Sequence, residues 1–414
     1  MRIVYLNPCG KLGGAETSLR EILASVRASQ PEWELWLVLG EDGPLARIAR
    51  DLGVQVIIRP FPAGLGRFGD SGLSLAAVWP LVSAVPATTR YARNLAGLLR
   101  ELRPDLIHTN GFKMHLLGAW ARPRQVPLVW HIHDYVSSRP LASRFLRLSA
   151  RACTVAIANS ESVARDLRRL LPGLRVTAIH NAIDIERFSP VGRKLDLDAL
   201  SGLTPADAGT IRAGLVATFA RWKGHEVFLE ALARLSGAVP VRGYIIGGPI
   251  YQTRGSQWSV AELQRRADEV CGPGMVGFTG FVEDSPAVMR ALDIVVHAST
   301  EPEPFGMVII EGMACGKAVI AARGGGASEI VIEGVNALAH PAGDSAALAG
   351  EIQRLASDAS LRRRLGQAAR QMAERMYTGE RLAKELVALY QKAVGAPAND
   401  IEPATYSSLG AAGS

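Results

Sequence analysis

Short apolar runs rich in Val and Ile alternate along this chain with longer segments whose apolar residues recur at helical spacing. Such runs bury both faces only when helices cover them, so the alternation specifies parallel sheets with helices packed on either side. The first half offers RIVYLNP, WELWLVLG, VQVIIRP, DLIHTN, LVWHIHD, CTVAIANS and VTAIHNAID as candidate strands. The second half restarts the pattern with AGLVATFA, RGYIIGG, VGFTGF, DIVVHAS and AVIAA. Between the two series lies SPVGRKLDLDALSGLTPADAGT, residues 189–210, polar and turn-rich with no clear strand, and the domain boundary is placed near 186–210. With 414 residues the chain is too long for one ordinary domain. The expected architecture is α/β: two Rossmann-like doubly wound domains facing a central cleft, with ligands at the carboxyl ends of the strands.

The chemistry concentrates in HASTEPEPFGMVIIEGMACGKAVIA, residues 297–321. Glu303 and Glu311 are separated by seven residues, and Pro304 and Gly306 end the preceding loop. A helix is predicted to open near Gly306, with Glu303 just before it and Glu311 about two turns in. The first backbone amides, at Gly306, Met307 and Val308, would then point out of the helix start, where an anion is favoured. Two carboxylates beside an anion-binding helix end suit a ligand that carries both hydroxyls and phosphates, as a nucleotide sugar does. Arg221 and Lys223, in FARWKGHEVFLEAL, fall between a strand end and a helix start. Cations there oppose the helix dipole unless an anion docks between them.

The Glu303–Glu311 spacing, its EPFG context, the MACGKAVIA continuation and the RGGGASEIV stretch at 323–331 resemble the E-x7-E signature of glycosyltransferase family 4, retaining enzymes of the GT-B fold. The resemblance spans nearly the whole chain, from the GGAE loop to ERLAKELVALYQKAV at 380–394. It implies an N-terminal acceptor-binding domain over 1–186 and a linker over 187–210. A nucleotide-sugar-binding domain would follow over 211–378, then a closing helix over 379–396 that can pack back on the first domain. The small, polar stretch 397–414 is expected to be disordered. The implied reaction moves a sugar from a nucleotide-diphosphate sugar to a hydroxyl acceptor, a glycan, a lipid-linked glycan or a small molecule, with retention. Arg221 and Lys223 would neutralise the leaving diphosphate. Glu303 would grip sugar hydroxyls and Glu311 would accept from the ribose. Phe305 and the Gly306, Met307 and Val308 amides would complete the donor site, and His133 would contact the donor sugar.

Other positions follow the same resemblance. Gly13 and Gly14 form a tight turn before a helix predicted near Ala15, in a loop that borders the donor phosphates and the acceptor cleft in the family. Gly248 belongs to a turn near the nucleotide, although Gly247-Gly248-Pro249 lacks the family's aspartate and the insertion IYQTRGSQWS follows. Phe281 and Val282 match a segment whose backbone meets the base. His131, His133 and Asp134 close the strand LVWHIHDY, with the two histidines on one face, and no partners nearby suggest a metal.

Further features set bounds. Asp196-Leu197-Asp198 spells DxD but lies in the linker, where it reads as solvated, so metal independence is expected, with no cofactor beyond the donor. Cys9, Cys153, Cys271 and Cys315 are scattered like reduced thiols, and Met1 and Arg2 run straight into the strand IVYL, so a cytoplasmic protein is expected. A net charge of +7 suits phosphate-bearing ligands or an anionic membrane surface, and no nucleic-acid motif accompanies it. RPLASRFLRLSAR at 139–151 and the Trp79-containing stretch at 73–86 are the candidates for peripheral contact at the inner face of the cell membrane. A nucleotide-sugar epimerase and a catalytically silent sugar-nucleotide-binding protein are the alternative functions. A dinucleotide oxidoreductase lacks its GxGxxG here.

Overall fold

The computed structural model describes residues 1–61, 78–235, 237–249 and 257–395. The predicted tail at 397–414 and most of the insertion at 250–259 lie outside the described residues, as does the first part of the Trp79 stretch. The chain forms two compact units, one of Met1–His180 together with the chain from Ala383 onward, the other of Asn181–Leu382.

In the first unit, β1 (Arg2–Asn7), β2 (Glu34–Leu39), β3 (Gln55–Ile58), β4 (Leu106–Asn110), β5 (Leu128–Ile132), β6 (Val155–Ala158) and β7 (Val176–Ala178) form a parallel sheet. Its order is β3-β2-β1-β4-β5-β6-β7. The central strands β4 and β5 are buried along their whole length, although β4 ends in the polar residues His108, Thr109 and Asn110. In the second unit, β8 (Ile211–Val216), β9 (Val241–Ile246), β10 (Val276–Gly280), β11 (Ile294–His297), β12 (Ala318–Ala322) and β13 (Leu338–His340) form a second parallel sheet, ordered β10-β9-β8-β11-β12-β13. Strand order reverses between β1 and β4 in one unit and between β8 and β11 in the other. In such a sheet the switch in strand order marks the carboxyl edge where ligands bind, so polar residues just after β8 and β11 are placed for a ligand. Of the strands, β13 alone has no counterpart in the sequence reading; three residues are too few for a periodic signal.

The segment read as a linker belongs to the second unit. Ile183, Phe188 and Leu197 are buried in one of its hydrophobic clusters, and Leu197–Leu200 forms a helical turn capped by Asp196. Asp198 is not solvated: it is 3% exposed and receives hydrogen bonds from Arg242 (2.8 Å), the Tyr244 hydroxyl (2.6 Å) and the Ala206 amide (3.0 Å), with Arg212 at 3.4 Å. Burial opposes its ionisation, but these partners outweigh burial and hold the carboxyl well below the usual range. The DxD aspartates therefore cap a helical turn and anchor the segment to β8 and β9.

The last helix, Gly379–Gly395, continues from the second unit into the first. There Tyr390 is fully buried, and its hydroxyl shares a 2.8 Å hydrogen bond with Nδ1 of His108 on β4. Burial drives the His108 pKa down to about 3, with the neighbouring His133 acting in the same direction. The folded state thus holds this imidazole neutral, while the unfolded chain protonates it near pH 6.5. Below that value the unfolded state binds more protons, so the stability contributed is complete above pH 6.5 and is lost as pH falls. Between pH 7 and pH 5, His108 alone should remove about 2 kcal/mol. Urea denaturation at the two pH values checks this, and an unchanged stability would contradict it.

Candidate active site

The second unit gathers most of the residues singled out from sequence onto the carboxyl rim of its sheet. After β8 the chain makes a 3-10 turn, Arg221–Lys223, and enters the helix His225–Arg234. Gly224 joins the two at φ +75°, and a Cβ there would stand 1.8 Å from the Ala298 carbonyl oxygen, so only glycine lets this loop lie against the loop after β11. The Trp222 carbonyl accepts from the Thr300 amide at 2.7 Å and locks the two loops together. Similar backbone bonds join Phe219 to Gly248, Gly247 to Gly280, and Gly326 to the Glu303 carbonyl. Gly248 thereby borders the Arg221 loop, and Phe281, 69% exposed, follows β10 with Val282 half-buried beside it.

Glu303 is the centre of the rim. It is 8% exposed, and Lys223 Nζ donates to both of its carboxylate oxygens at 2.9 and 2.8 Å. His297 Nε2, at 3.0 Å, and the Ser299 hydroxyl, at 2.8 Å, both engage Oε2. Burial alone would raise the Glu303 pKa, but the Lys223 charge and the His297 bond outweigh it and hold the carboxyl well below the usual range. A carboxylate with this many donors is fixed in orientation and stays ionised at neutral pH. Behind Lys223, His225 is buried, and burial with the Lys223 charge lowers its pKa to about 4.

The predicted helix is present as Met307–Ala314, started by Gly306 at φ +107°. Glu311 is its fifth residue, so it stands little more than one turn inside rather than two. Phe305 differs from the sequence reading: it is 2% exposed with its ring edge-on to Tyr377, so its side chain shapes the loop from within and does not line the rim.

In the first unit, His133 lies one residue beyond β5. Its Nε2 donates to Asn110 Oδ1 at 2.5 Å, Asn110 donates to Asn7 Oδ1 at 2.6 Å, and Asn7 donates to the Cys9 carbonyl at 2.5 Å. This relay crosses the ends of β5, β4 and β1. Burial lowers the His133 pKa to about 4, so the ring is neutral and its Nδ1 is an acceptor. His131 packs on the same side, with ring centroids 4.1 Å apart, and is itself buried. Asp134 pairs with Arg139 at 3.0 Å and ties the loop to the helix Pro140–Ser149. Gly13 caps the helix Gly14–Ser29, and its amide donates to Glu16 at 3.2 Å, so that helix start already holds an anion of its own.

Sequence reasoning missed His297, Ser299, Asn7 and Asn110. The first two stand six and four residues before Glu303, polar positions at the end of a buried strand, and that placement was the available signal. Asn7 and Asn110 come together only across the sheet.

The family described as Glycosyltransferase Family 4 matches residues 12–187, and the family described as Glycosyl transferases group 1 matches residues 205–372. The D-inositol 3-phosphate glycosyltransferase of Saccharomonospora viridis is 30% identical over 318 residues, covering 70% of this chain and 71% of the relative. The chain belongs to glycosyltransferase family 4. Its two doubly wound units are those of the GT-B fold. The structure of HepE from Anabaena in complex with UDP-glucose superposes with a TM-score of 0.75 at 26% identity, over 95% of this chain and 100% of that one. The lipopolysaccharide core biosynthesis glycosyltransferase LpsE of Rhizobium meliloti is 31% identical over 183 residues, 44% of this chain. The chain spans about half the length of the first curated relatives it matches, 50% of LpsE among them.

In this family 4 chain the Lys223–Glu303 pair is also structural. Lys223→Met should leave the Glu303 carboxylate buried without its counter-charge and cost about 3–5 kcal/mol. Adding Glu303→Gln to Lys223→Met should recover most of that loss. Denaturant titration of the single and double variants checks the coupling; additive effects would refute it.

Proposed function

We propose that this protein transfers a glycosyl group from a nucleotide-diphosphate sugar to a hydroxyl acceptor, with retention of anomeric configuration and without a metal ion. The observation that carries the reading is the Lys223–Glu303 ion pair on the carboxyl rim of the second sheet, with Arg221 on the same turn. Fixed cations beside a fixed carboxylate suit a ligand with a diphosphate at one end and hydroxyls at the other. The complexes of HepE with UDP and with UDP-glucose favour UDP as the first nucleotide to test.

In this mechanism the bond from the sugar C1 to the diphosphate oxygen breaks, and its electron pair leaves on the diphosphate. Arg221 and Lys223 stabilise that charge, as Lys223 gives up part of its bond to Glu303. The acceptor hydroxyl attacks C1 on the face the diphosphate leaves, and its proton passes to the departing phosphate oxygen. Glu303, still held by His297 and Ser299, accepts from sugar hydroxyls, and Glu311 accepts from the ribose. The amides of Gly306, Met307 and Val308 serve the phosphate and sugar, while Gly248, Phe281 and Val282 border the base. Nδ1 of the neutral His133 can accept from a sugar hydroxyl, with Gly13 and Gly14 in the neighbouring loop. Metal independence is supported by the DxD aspartates, which are committed to Arg212, Arg242, Tyr244 and a helix cap.

Transfer is tested with UDP-, GDP- and ADP-sugars in the presence of EDTA, the product anomer being read by NMR. An α-linked donor should give an α-linked product at an unchanged rate, and Arg221→Ala or Lys223→Ala should lower kcat by about 100-fold or more. An inverted product or full dependence on a metal would overturn the mechanism. Epimerised donor with no transfer would identify an epimerase, and nucleotide binding without turnover a silent binding protein.

The acceptor side includes a peripheral contact with an anionic membrane. Among the described residues no helix is long and apolar enough to cross a membrane. The helix Pro140–Ser149 instead turns Leu141, Phe145 and Leu148 outward on one face, Leu148 being 80% exposed. Arg144 and Arg147 are exposed beside them, and Trp120, 62% exposed, lies on the adjoining helix Phe112–Ala121. An apolar stripe bordered by arginines complements acyl chains below anionic headgroups. Co-sedimentation with phosphatidylglycerol vesicles should exceed that with phosphatidylcholine vesicles, and Leu148→Asp or Arg144→Glu should each weaken it about fivefold. Equal binding of both variants and the parent chain would remove this contact.

A further inference from the structure

We infer that Trp258 and Glu262 are positioning residues for Arg221, holding its guanidinium so that its outer edge is presented to the donor diphosphate. The inference rests on the proposed transferase reading and adds residues that the E-x7-E signature does not contain.

Arg221 sits on a three-residue turn with its side chain 43% exposed, a setting in which a long cation would ordinarily sample many rotamers. Here its guanidinium carbon lies 3.6 Å from the centroid of the Trp258 ring. That distance places the planar cation flat on the indole face, the geometry of a cation–π contact. Stacking covers one face of the plane and leaves its N–H edges, which are the groups that bind phosphate oxygens in pairs. On another side, Arg221 Nη2 stands 3.9 Å from Glu262 Oε1. That separation is too long for a tight ion pair. It biases the orientation of the cation without consuming its donors.

Both supports are themselves fixed. The Trp258 amide donates to the Phe219 carbonyl at 2.8 Å, and Gln257 forms an antiparallel bridge with Ala220, the residue before Arg221. The indole packs against the main hydrophobic cluster of the second unit. Glu262 is half of a capping box: its Oε2 accepts from the Ser259 amide at 2.7 Å, and its own amide donates to Ser259 Oγ at 3.2 Å. The box holds one carboxylate oxygen and leaves the other facing Arg221. The bonds from Ser259 also keep the Glu262 carboxyl below its ordinary range, so it remains ionised beside the cation. A helix cap, a strand-like bridge and an indole face thus converge on one guanidinium from a segment about forty residues further along the chain.

Lys223 is treated differently. Its ammonium lies 3.9 Å from the Trp222 ring centroid and is held by Glu303, so its position comes from the ion pair within the signature. Arg221 has no such partner in the signature, and the 257–262 segment supplies one.

The test uses the full chain, with UDP as the probe and GDP and ADP in parallel, binding being read by calorimetry and transfer by donor kinetics. Trp258→Leu should weaken nucleotide binding and raise the donor KM by about three- to tenfold, whereas Trp258→Phe, which keeps an aromatic face, should stay within about twofold of the parent. Glu262→Gln, which keeps the cap's acceptor, should give a smaller loss that disappears at high salt. The deciding comparison is in the Arg221→Ala background, where Trp258→Leu should change binding by less than about twofold. An equal loss with and without Arg221 would show that Trp258 acts only on the fold and would overturn the inference. So would full binding by Trp258→Leu. A parent chain that binds none of the three nucleotides would instead refute the donor-site reading, and the inference with it.

Discussion

Glu303 is buried, and its carboxylate stays charged there only because donors surround it. The half-buried Lys223 supplies the counter-charge, and His297 and Ser299 complete the carboxylate's bonds and fix its orientation. The loop after β8 and the loop after β11 must meet for this to happen, and they do so at the position where strand order reverses. Gly224 permits the approach, and the Trp222–Thr300 backbone bond secures it. The stability of this corner and its proposed chemistry therefore depend on the same contact, an ion pair whose carboxylate is buried.

The strand ends of the first unit carry mostly neutral polar groups where the second unit carries charges. His133, Asn110 and Asn7 pass one hydrogen bond to the next across three strand ends, with the Glu16 carboxyl bonded to Asn7. His108, His115 and His131 are buried beneath them, each with its pKa driven down by burial. Neutral imidazoles and amides offer hydrogen bonds there without adding charge.

Much of this was legible from the residues in order. The alternation of apolar runs with helical segments marked all but one of the described strands, because most strands covered on both faces are rich in Val, Ile and Leu. The helix start at Gly306 was readable because its glycine and the preceding proline have few other uses. The boundary was less legible. Polarity between 189 and 210 suggests a linker, but Asp198 is polar because it receives Arg212, Arg242 and Tyr244 in a buried place, and Leu197 beside it belongs to the core. Composition reports which groups are polar, not whether water or protein satisfies them. Phe305 shows the converse error: it lies within the signature, yet its ring faces the interior.

The two sheets, the family and the identity of the charged groups are all written in local spacing that the backbone must obey. How those groups are held emerges only from contacts between distant parts of the folded chain. His297, Ser299 and Lys223 converge on one carboxylate from the ends of β11 and β8, and Trp258 reaches Arg221 from a segment beyond β9. Such partners meet through the order of strands in a sheet, a long-range property that no window of sequence contains.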